Sequence, residues 1–282
     1  MPTGAEVTIP AGISGRELLV ARPDMIMPET AQFWTLLVFG TAAFATFLYA
    51  LWQMRRNHTV YPLWLLLGAI VASTYETLDN TLGHVYYPIT GQISIYEILG
   101  IPLPLFTFFV YFFYIGATVI WVFSLLDSKS IDNRSWWTIY GFTVLGALIF
   151  EPPMLALGLW NYYGDNQSLV FLGFPIWWAI VNPASVIMVA LVSYLIWDLL
   201  LERKYTILLS AIVPILLYGI HGGISAPIYM TINSTSSAVI NNLAAVASIL
   251  LALGVIWLGG KAIRIQNGYA AAKYVSTLKE SS

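Results

Sequence analysis

The residues of this sequence best suited to chemistry are acids embedded in apolar segments. Glu151 is followed directly by Pro152 and Pro153, late in an apolar run over 136–160. A charge at hydrocarbon depth costs roughly 3 kcal/mol or more, and the prolines leave carbonyl groups one turn back without donors. Such a feature is typical of a residue that faces a polar cavity, so Glu151 is a candidate catalytic acid or base.

Three further titratable residues lie inside other apolar runs and are predicted to be catalytic with Glu151. Glu76 and Asp79 lie one turn apart in the run 62–83, so a helix places both on one face. His221 precedes Gly222 in a later apolar run. Polar and aromatic residues at similar depth are predicted to bind the substrate. They are Asn80, Tyr75, Tyr111, Tyr114, Trp160, Tyr162, Asn182 and Asn241.

These residue types predict acid–base chemistry on an apolar molecule. Neighbouring carboxyls in an apolar cavity resist joint ionisation, so one stays protonated as a general acid while another serves as base. Histidine can relay a proton, and aromatic faces stabilise a developing cation. Cyclisation, hydration and double-bond isomerisation fit this set and need no cofactor, and we predict none. Three histidines and no cysteine argue against a metal site.

Each of these residues also has a purely structural interpretation. Glu151 can satisfy the carbonyl groups freed by its own prolines, and Asn182 precedes Pro183 as hinge asparagines often do. Asn241 resembles the amides that bond neighbouring membrane helices. His221 in a glycine-rich turn can be a packing residue. These structural interpretations do not explain why the candidate residues lie at one depth in the membrane.

Composition identifies the elements that must position these residues. Of 282 residues 59% are hydrophobic and only 9% are charged, against about 25% charged in soluble domains. This predicts an all-α integral membrane protein whose partners are the lipid bilayer and a lipophilic small-molecule substrate. The net charge of −2 argues against nucleic acid.

Seven apolar stretches are long enough to span a bilayer. Residues 1–30 are predicted to be a polar N-terminal lead-in, 31–262 a seven-helix transmembrane domain, and 263–282 a cytoplasmic tail. Lys and Arg occur in alternate loops, at Arg55, Lys129 and Arg203 for example, which places the N-terminus outside and the C-terminus inside, in the plasma membrane. The stretches run over 31–54, 62–83, 103–126, 136–160, 174–200, 205–229 and 236–262.

The candidate residues fall into one layer of the predicted bilayer. At ~1.5 Å per residue, Glu76 lies about 10 Å below the outer end of its span, and Glu151 and His221 lie about 12–13 Å below theirs. Asn182 and Asn241 have similar depths. We therefore expect six spans to bring their polar residues into one chamber in the outer leaflet.

Two segments outside the spans bear on this chamber. The connector from Gly83 to Pro102 mixes aromatic and apolar residues with few charges. It is predicted to lie over the outer mouth, as a lid or re-entrant segment or as an ordinary interfacial loop. The run from Trp160 to Tyr163 is typical of an interfacial anchor, with a second possibility that it lines the mouth.

The order of motifs resembles a known family. The features are Asp79-Asn80 with Tyr86-Tyr87-Pro88, then Glu151, then a run from Gly158 to Gly164 (Gly-Leu-Trp-Asn-Tyr-Tyr-Gly), then Gly173-Phe-Pro175. They resemble the bacterial membrane spirocyclase-like family known from avermectin biosynthesis, and more loosely the membrane carotenoid hydratases and cyclases. The resemblance covers 75–185 and implies acid–base spiroketal formation on a polyketide. It implies roles for Asp79, Asn80, Glu151, Trp160 and Tyr162.

Two other classes of membrane protein remain open. A transporter could use the acids as a proton or cation site, although the inner halves of the spans offer few polar residues for a path. A heptahelical sensor or lipid-binding protein is also possible. A retinal protein is disfavoured because the only lysine of the last span, Lys261, lies at its cytoplasmic end.

Overall fold

The computed structural model describes residues 23–164, 166–234 and 236–280, with side chains as far as 266. The described chain is mostly helical, and six of its helical segments are long and apolar enough to cross a membrane, which indicates a multi-pass membrane protein. These segments are Glu29–Asn57, Leu105–Asp127, Asn133–Ala156, Ile176–Leu200, Thr206–Ile232 and Ala238–Gln266.

The predicted second span is helical but divided. It consists of α2 (Tyr61–Ala72), a 3₁₀ turn (Ser73–Tyr75) and α3 (Glu76–Leu82). The Ser73 hydroxyl donates to the Ile70 carbonyl, and the Thr74 hydroxyl donates to the Val71 carbonyl. Hydroxyls that bond to the preceding turn compete with the backbone and bend helices. The tighter turn thus sits just before Glu76 and Asp79.

The remaining helices follow the predicted order with altered ends. The third span contains a π turn, a wider turn that often occurs at functional sites. The last helix runs unbroken past residue 262, so the predicted tail continues the helix. Of the predicted lead-in, residues 1–22 lie outside the described residues. The bounds are α1 Glu29–Asn57, α4 Leu105–Val110, π turn Tyr111–Ile115, α5 Gly116–Asp127, α6 Asn133–Ala156, α7 Ile176–Leu195, π turn Ile196–Leu200, 3₁₀ turn Thr206–Leu208, α8 Leu209–Ile232 and α9 Ala238–Glu280.

Helix α7 forms the centre of the bundle and packs against α5, α6, α8 and α9. In the apolar 18-residue stretch of its segment 67% of the residues are buried, against only 11% in the corresponding stretch of α6. Close packing of α2 on α8 depends on Gly68, since a Cβ atom there would lie 2.8 Å from the Val213 Cβ. Small residues let membrane helices approach in this way. Helix α6 is therefore peripheral, held mainly by α7 and α9.

Three short antiparallel strand pairs gather at one end of the bundle, which we call the long-loop end (residues 83–104, 157–175 and 233–237). The connector predicted to be a lid or re-entrant segment forms β1 and a hairpin of β2 and β3. The chain after α6 returns to pair with β1, so the Val85 position faces Tyr162. The pairs are β1 (Val85–Tyr86) with β4 (Asn161–Tyr162), β2 (Ser94–Ile98) with β3 (Ile101–Pro104), and β5 (Val170–Phe171) with β6 (Phe174–Pro175).

His84 connects the three segments of the long-loop end by contacting Asn233 and Tyr163. Its Nε2 atom lies 3.1 Å from Asn233 Oδ1, and its ring stacks on Tyr163 with a centroid separation of 5.0 Å. Burial lowers the pKa of His84, partly opposed by its hydrogen bonds to Asn233 and to the Tyr163 backbone. The neutral imidazole is thus the form that this packing favours.

We call the opposite end of the bundle the basic end (residues 55–60, 128–132 and 201–205). Lysine and arginine residues are concentrated there. Arg203 contacts Asp127 at 2.9 Å and Asp198 at 2.7 Å, joining the ends of the third and fifth spans. Arg203 is about half exposed, and exposed ion pairs contribute only ~0–1 kcal/mol each. These two ion pairs therefore contribute more to the relative position of the two span ends than to the stability of the protein.

Candidate functional site

A cavity of about 420 Å³ extends into the bundle from the long-loop end, and we call it the acid cavity. Its volume lies in the range of small-molecule sites. Its wall comes from α2–α3, the third span, α6, α7, α8 and the loops of the long-loop end. The lining residues are Tyr75, Glu76, Asp79, Val85, Tyr87, Phe106, Thr107, Val110, Tyr111, Phe113, Tyr114, Ile115, Thr118, Phe142, Thr143, Gly146, Ala147, Phe150, Glu151, Trp160, Tyr162, Trp178, Asn182, Leu217 and His221.

Ten of the twelve predicted site residues line this cavity, and two do not. Asn80 is buried but faces a small recess beside Tyr86 and Ile101. It follows Asp79 directly, so it lies about 100° around the helix from the cavity face. Asn241 is also buried, away from the cavity, with no hydrogen-bond partner for either side-chain polar atom among the described residues.

The chain reverses after α6 and covers Glu151. The helix ends at Ala156, not near Trp160 as predicted, and Gly158 adopts a positive φ of 74° that terminates it. The turn directs Trp160 Nε1 and the Tyr162 hydroxyl onto Glu151 Oε2, at 3.1 and 3.2 Å. The aromatic run predicted to be an interfacial anchor therefore supplies two donors to the carboxyl group.

Glu76 occupies a second position on the cavity wall. The Tyr87 hydroxyl donates to Glu76 Oε1 at 2.8 Å, and Tyr111 is a further hydrogen-bond partner. Glu76 is close enough to interact electrostatically with both Asp79 and Glu151. The three carboxyl groups thus share one low-dielectric space.

Two tyrosines of the long-loop end remain protonated donors to these acids. Burial, reinforced by the Glu76 carboxyl, raises the pKa of Tyr87 well above its usual value. Burial, followed by the charge of Glu151, does the same to the pKa of Tyr162. A phenol that resists ionisation donates a hydrogen bond at neutral pH, so both hydroxyls stabilise the charged form of their carboxyl partner.

Asp79 belongs to a buried hydrogen-bonded chain. The Tyr229 hydroxyl donates to Asp79 Oδ1 at 2.6 Å, and its oxygen lies 3.2 Å from His221 Nε2. The imidazole itself lies 3.7 Å from the same Asp79 oxygen. His221 is only 2% exposed. If Nε2 carries the proton, the chain runs from imidazole to phenol to carboxyl, which is an arrangement suited to proton transfer.

Aromatic rings enclose the imidazole. Tyr75 and Trp178 meet His221 edge to face, with centroid separations of 5.2 and 5.5 Å. Both rings also line the cavity. The neighbouring Trp177 is fully buried against Trp178 and does not line the cavity.

Two irregular helical segments present polar groups to the cavity. The π turn of the third span carries Tyr111 and Tyr114, and the Tyr114 hydroxyl is buried with no hydrogen-bond partner in the described chain. In α7, Asn182 faces the cavity one residue before Pro183. These groups are available to a bound molecule.

The half of the cavity farther from the loops is mostly apolar, with Thr118 and Thr143 as its polar residues, and reaches the surface of the bundle. Val110 and Phe113 of the third span and Ala147 and Phe150 of α6 all belong to its lining. Phe142, which is 68% exposed, and the exposed Gly146 also belong to the lining. A Cβ atom at Gly146 would meet nothing within 4 Å. The cavity therefore opens sideways, between the third span and α6.

Two contributors were missed by reasoning from the sequence. Tyr229 lies eight residues after His221, which is two helical turns and hence the same face, so that spacing was an available signal. Tyr87 follows α3 in an irregular connector, where no periodicity could orient it. In the part of the chain that the structure describes, no group of three or more His, Asp or Glu side chains is arranged to hold a metal ion.

No protein-family model, curated protein or solved structure matches this chain at a significant level.

Proposed function

We propose that the chain spans the plasma membrane seven times, with α2–α3 as the additional span and the basic end in the cytoplasm. The arrangement of charge supports this orientation, because Arg55, Arg56, Lys129, Arg203 and Lys204 all lie at one end of the bundle. Cytoplasmic loops carry such an excess of Lys and Arg. The acid cavity then lies in the outer leaflet.

We propose that the protein is an enzyme that cyclises, isomerises or hydrates an apolar substrate by cofactor-free acid–base catalysis in this cavity. The observation that carries the proposal is the meeting of Glu76, Asp79 and Glu151 with His221 around one cavity with a mostly apolar inner half. Carboxyl groups placed together in this way divide acid and base roles between them.

Hydrogen bonding suggests how these roles are divided. Glu151 accepts from an indole and a phenol at one oxygen, which stabilises its carboxylate and suits the base. Asp79 ends the chain from His221 through Tyr229, which suits an acid that is reprotonated after each turnover.

The steps of the reaction balance in protons. The Asp79 O–H adds its proton to a double bond or oxygen of the substrate, and the resulting cation lies among the faces of Tyr75, Tyr111 and Trp178. The neighbouring C–H or O–H then loses its proton to Glu151, and a new double bond or ring bond forms. Cyclisation and isomerisation exchange no other atoms, whereas in hydration one water molecule forms a C–O bond to the cation and loses a proton to Glu151. Each turnover therefore moves one proton from Asp79 to Glu151, so Asp79 regains a proton through Tyr229 and His221 while Glu151 releases the one that it accepted.

The lateral opening indicates where the substrate comes from. Phe142 lies nine residues, or about 14 Å, along α6 from its basic end, close to the middle of a bilayer. A molecule dissolved in the hydrocarbon can enter there without crossing a polar surface. The sequence resemblance to spirocyclase-like proteins over 75–185 supports a polyketide, and its looser relation supports terpenoid or carotenoid-like substrates.

The proposal is tested by supplying membranes that contain the protein with extracted cell lipids and following products by mass spectrometry. Glu151→Gln should abolish the product that wild-type protein forms, because the amide cannot accept the proton. The matched control is Glu97→Gln, the same substitution at an exposed site in the β2–β3 hairpin. An unchanged product profile in a folded Glu151→Gln protein would remove the catalytic role.

One observation favours transport as a second candidate function. A second concavity of about 930 Å³ lies between α1 and α5 at the basic end, and we call it the basic-end cleft. Thr118 lines both this cleft and the acid cavity. At this depth the acid cavity is also lined by Phe142 and Thr143, and the Thr143 hydroxyl is already bonded to carbonyl groups of its own helix, so few polar groups continue the track. Accumulation of protons or cations in proteoliposomes, lost with Asp79→Asn, would favour the transporter. The basic-end cleft is lined by Tyr49, Trp52, Gln53, Arg56, Asn57, Ala117, Thr118, Trp121, Ser124, Leu125, Asp127, Ser128 and Ser130.

A further inference from the structure

We propose that the basic-end cleft binds a membrane phospholipid, with its phosphate held at Arg56 and an acyl chain lying along α5. The cleft follows α5 from Asp127 to Thr118, which is nine residues or about 14 Å along the helix. It therefore reaches from the end of the bundle to the middle of the membrane. Its two ends differ in chemistry, as the two ends of a phospholipid do.

Arg56 provides the binding group for the phosphate. Its guanidinium group lies 5.0 Å from the centre of the Trp52 ring, and it forms no ion pair in the described part of the chain. Stacking fixes the plane of the guanidinium group and leaves its N–H donors available. Arginine and phosphate pair through two parallel charge-assisted hydrogen bonds. Ser130 lines the same end of the cleft, and its hydroxyl, which donates only a long bond of 3.4 Å to the Ser128 carbonyl, can add a donor.

The electrostatic balance of the cleft favours an anion. Asp127 also lines it, but its carboxylate is already paired with Arg203 at 2.9 Å. Gln53 is occupied as well, since it bonds to Tyr49, Asn57 and Ser124. Of the two charged residues that line the cleft, Arg56 is thus the one without an ion-pair partner in the described part of the chain. A phosphate supplies a partner for Arg56, whereas an ammonium group at Asp127 would compete with Arg203, which contacts both Asp127 and Asp198.

The apolar length of the cleft identifies the occupant as a lipid and not a free anion. Trp52 and Trp121 are 49% and 41% exposed and flank the cleft, and Ala117 lies at its inner end. Tryptophan is enriched at the depth where headgroups meet hydrocarbon. Inorganic phosphate would fill only the polar end, whereas a phospholipid covers the indole faces as well.

The test uses the full-length protein, purified in detergent and depleted of lipid, with binding followed by native mass spectrometry and by thermal unfolding. Phosphatidylglycerol should bind and raise the unfolding temperature. Arg56→Gln should weaken this binding by roughly tenfold or more, because a charge-assisted hydrogen bond is lost. Arg55→Gln is the matched control, since Arg55 is exposed, carries the same charge and does not line the cleft. It should change binding less than about twofold.

Two other ligands, diacylglycerol and inorganic phosphate, and the comparison of the two arginine variants decide the proposal. Diacylglycerol, which has the chains without the phosphate, should bind at least roughly tenfold more weakly than phosphatidylglycerol. Equal losses with Arg55→Gln and Arg56→Gln would mean diffuse attraction and would overturn the site. Binding of inorganic phosphate as tight as that of the lipid would overturn the lipid as occupant. Circular dichroism confirms that each variant is folded, and Arg56→Lys, which keeps the charge, should retain part of the binding.

Discussion

Removal of the Tyr229 hydroxyl should destabilise the protein by breaking the chain between Asp79 and His221. In the wild-type protein this hydroxyl donates to Asp79 at 2.6 Å and lies 3.2 Å from the imidazole. Tyr229→Phe leaves the ring packing intact but deprives a buried carboxyl group of its donor. Leaving a buried polar group unsatisfied costs about 1–3 kcal/mol, and more when it is charged. We therefore expect the free energy of unfolding to fall by ~1–3 kcal/mol.

The assay is reversible denaturant unfolding in mixed micelles, with Tyr218→Phe as the matched control. The Tyr218 hydroxyl bonds to Thr74 at a site that is 37% exposed, and Thr74 keeps its own bond to the Val71 carbonyl. Its loss should therefore cost less than about 0.5 kcal/mol.

A double-mutant cycle with Asp79→Asn isolates the interaction. The coupling energy between the two sites should be about 0.5–3 kcal/mol, because the residues are in contact. Equal costs for Tyr229→Phe and Tyr218→Phe, or additive effects of Tyr229→Phe and Asp79→Asn, would refute the reasoning.

Three further predictions concern the opening, the packing and the loops. Gly146→Trp should block the lateral opening and reduce product formation by roughly tenfold or more. Gly141→Trp, also in open space on α6 but not lining the cavity, should leave it unchanged. Gly68→Ala should destabilise the bundle by ~1–3 kcal/mol, since its Cβ would clash with α8, whereas Gly219→Ala meets nothing within 4 Å and should be neutral or stabilising. Because burial lowers the folded-state pKa of His84, its stability contribution is complete above about pH 6.5 and is lost as pH falls through the folded value. The unfolding temperature should fall less steeply below pH 6.5 in His84→Gln than in wild-type protein.

Much of the site could be predicted from depth along the spans, but direction around a helix could not. Apolar runs locate helix ends to within a few residues, which is enough to place Glu76, Glu151 and His221 in one layer. Depth alone does not separate Asp79 from Asn80, which lie at nearly the same level and face different spaces. The orientation depends on how α3 packs, and that is a tertiary property.

The loops were the least predictable part of the molecule. From the sequence alone, Trp160 is predicted to end a span and Tyr162 to belong to an interfacial anchor, because their apolar character continues that of α6. The positive φ of Gly158 reverses the chain and brings both onto Glu151. A glycine permits this conformation without requiring it, so the turn follows from the pairing of β1 with β4 and not from the local sequence.

The most direct test of a shared catalytic chamber compares Asp79→Asn, Glu151→Gln and the double variant in the lipid-supplied membrane assay. Residues that act as one catalytic unit have strongly non-additive effects. We predict that each single variant loses the same product, and that the double variant loses little more than either one. Retention of product in both folded single variants, or losses that simply multiply in the double variant, would contradict the account.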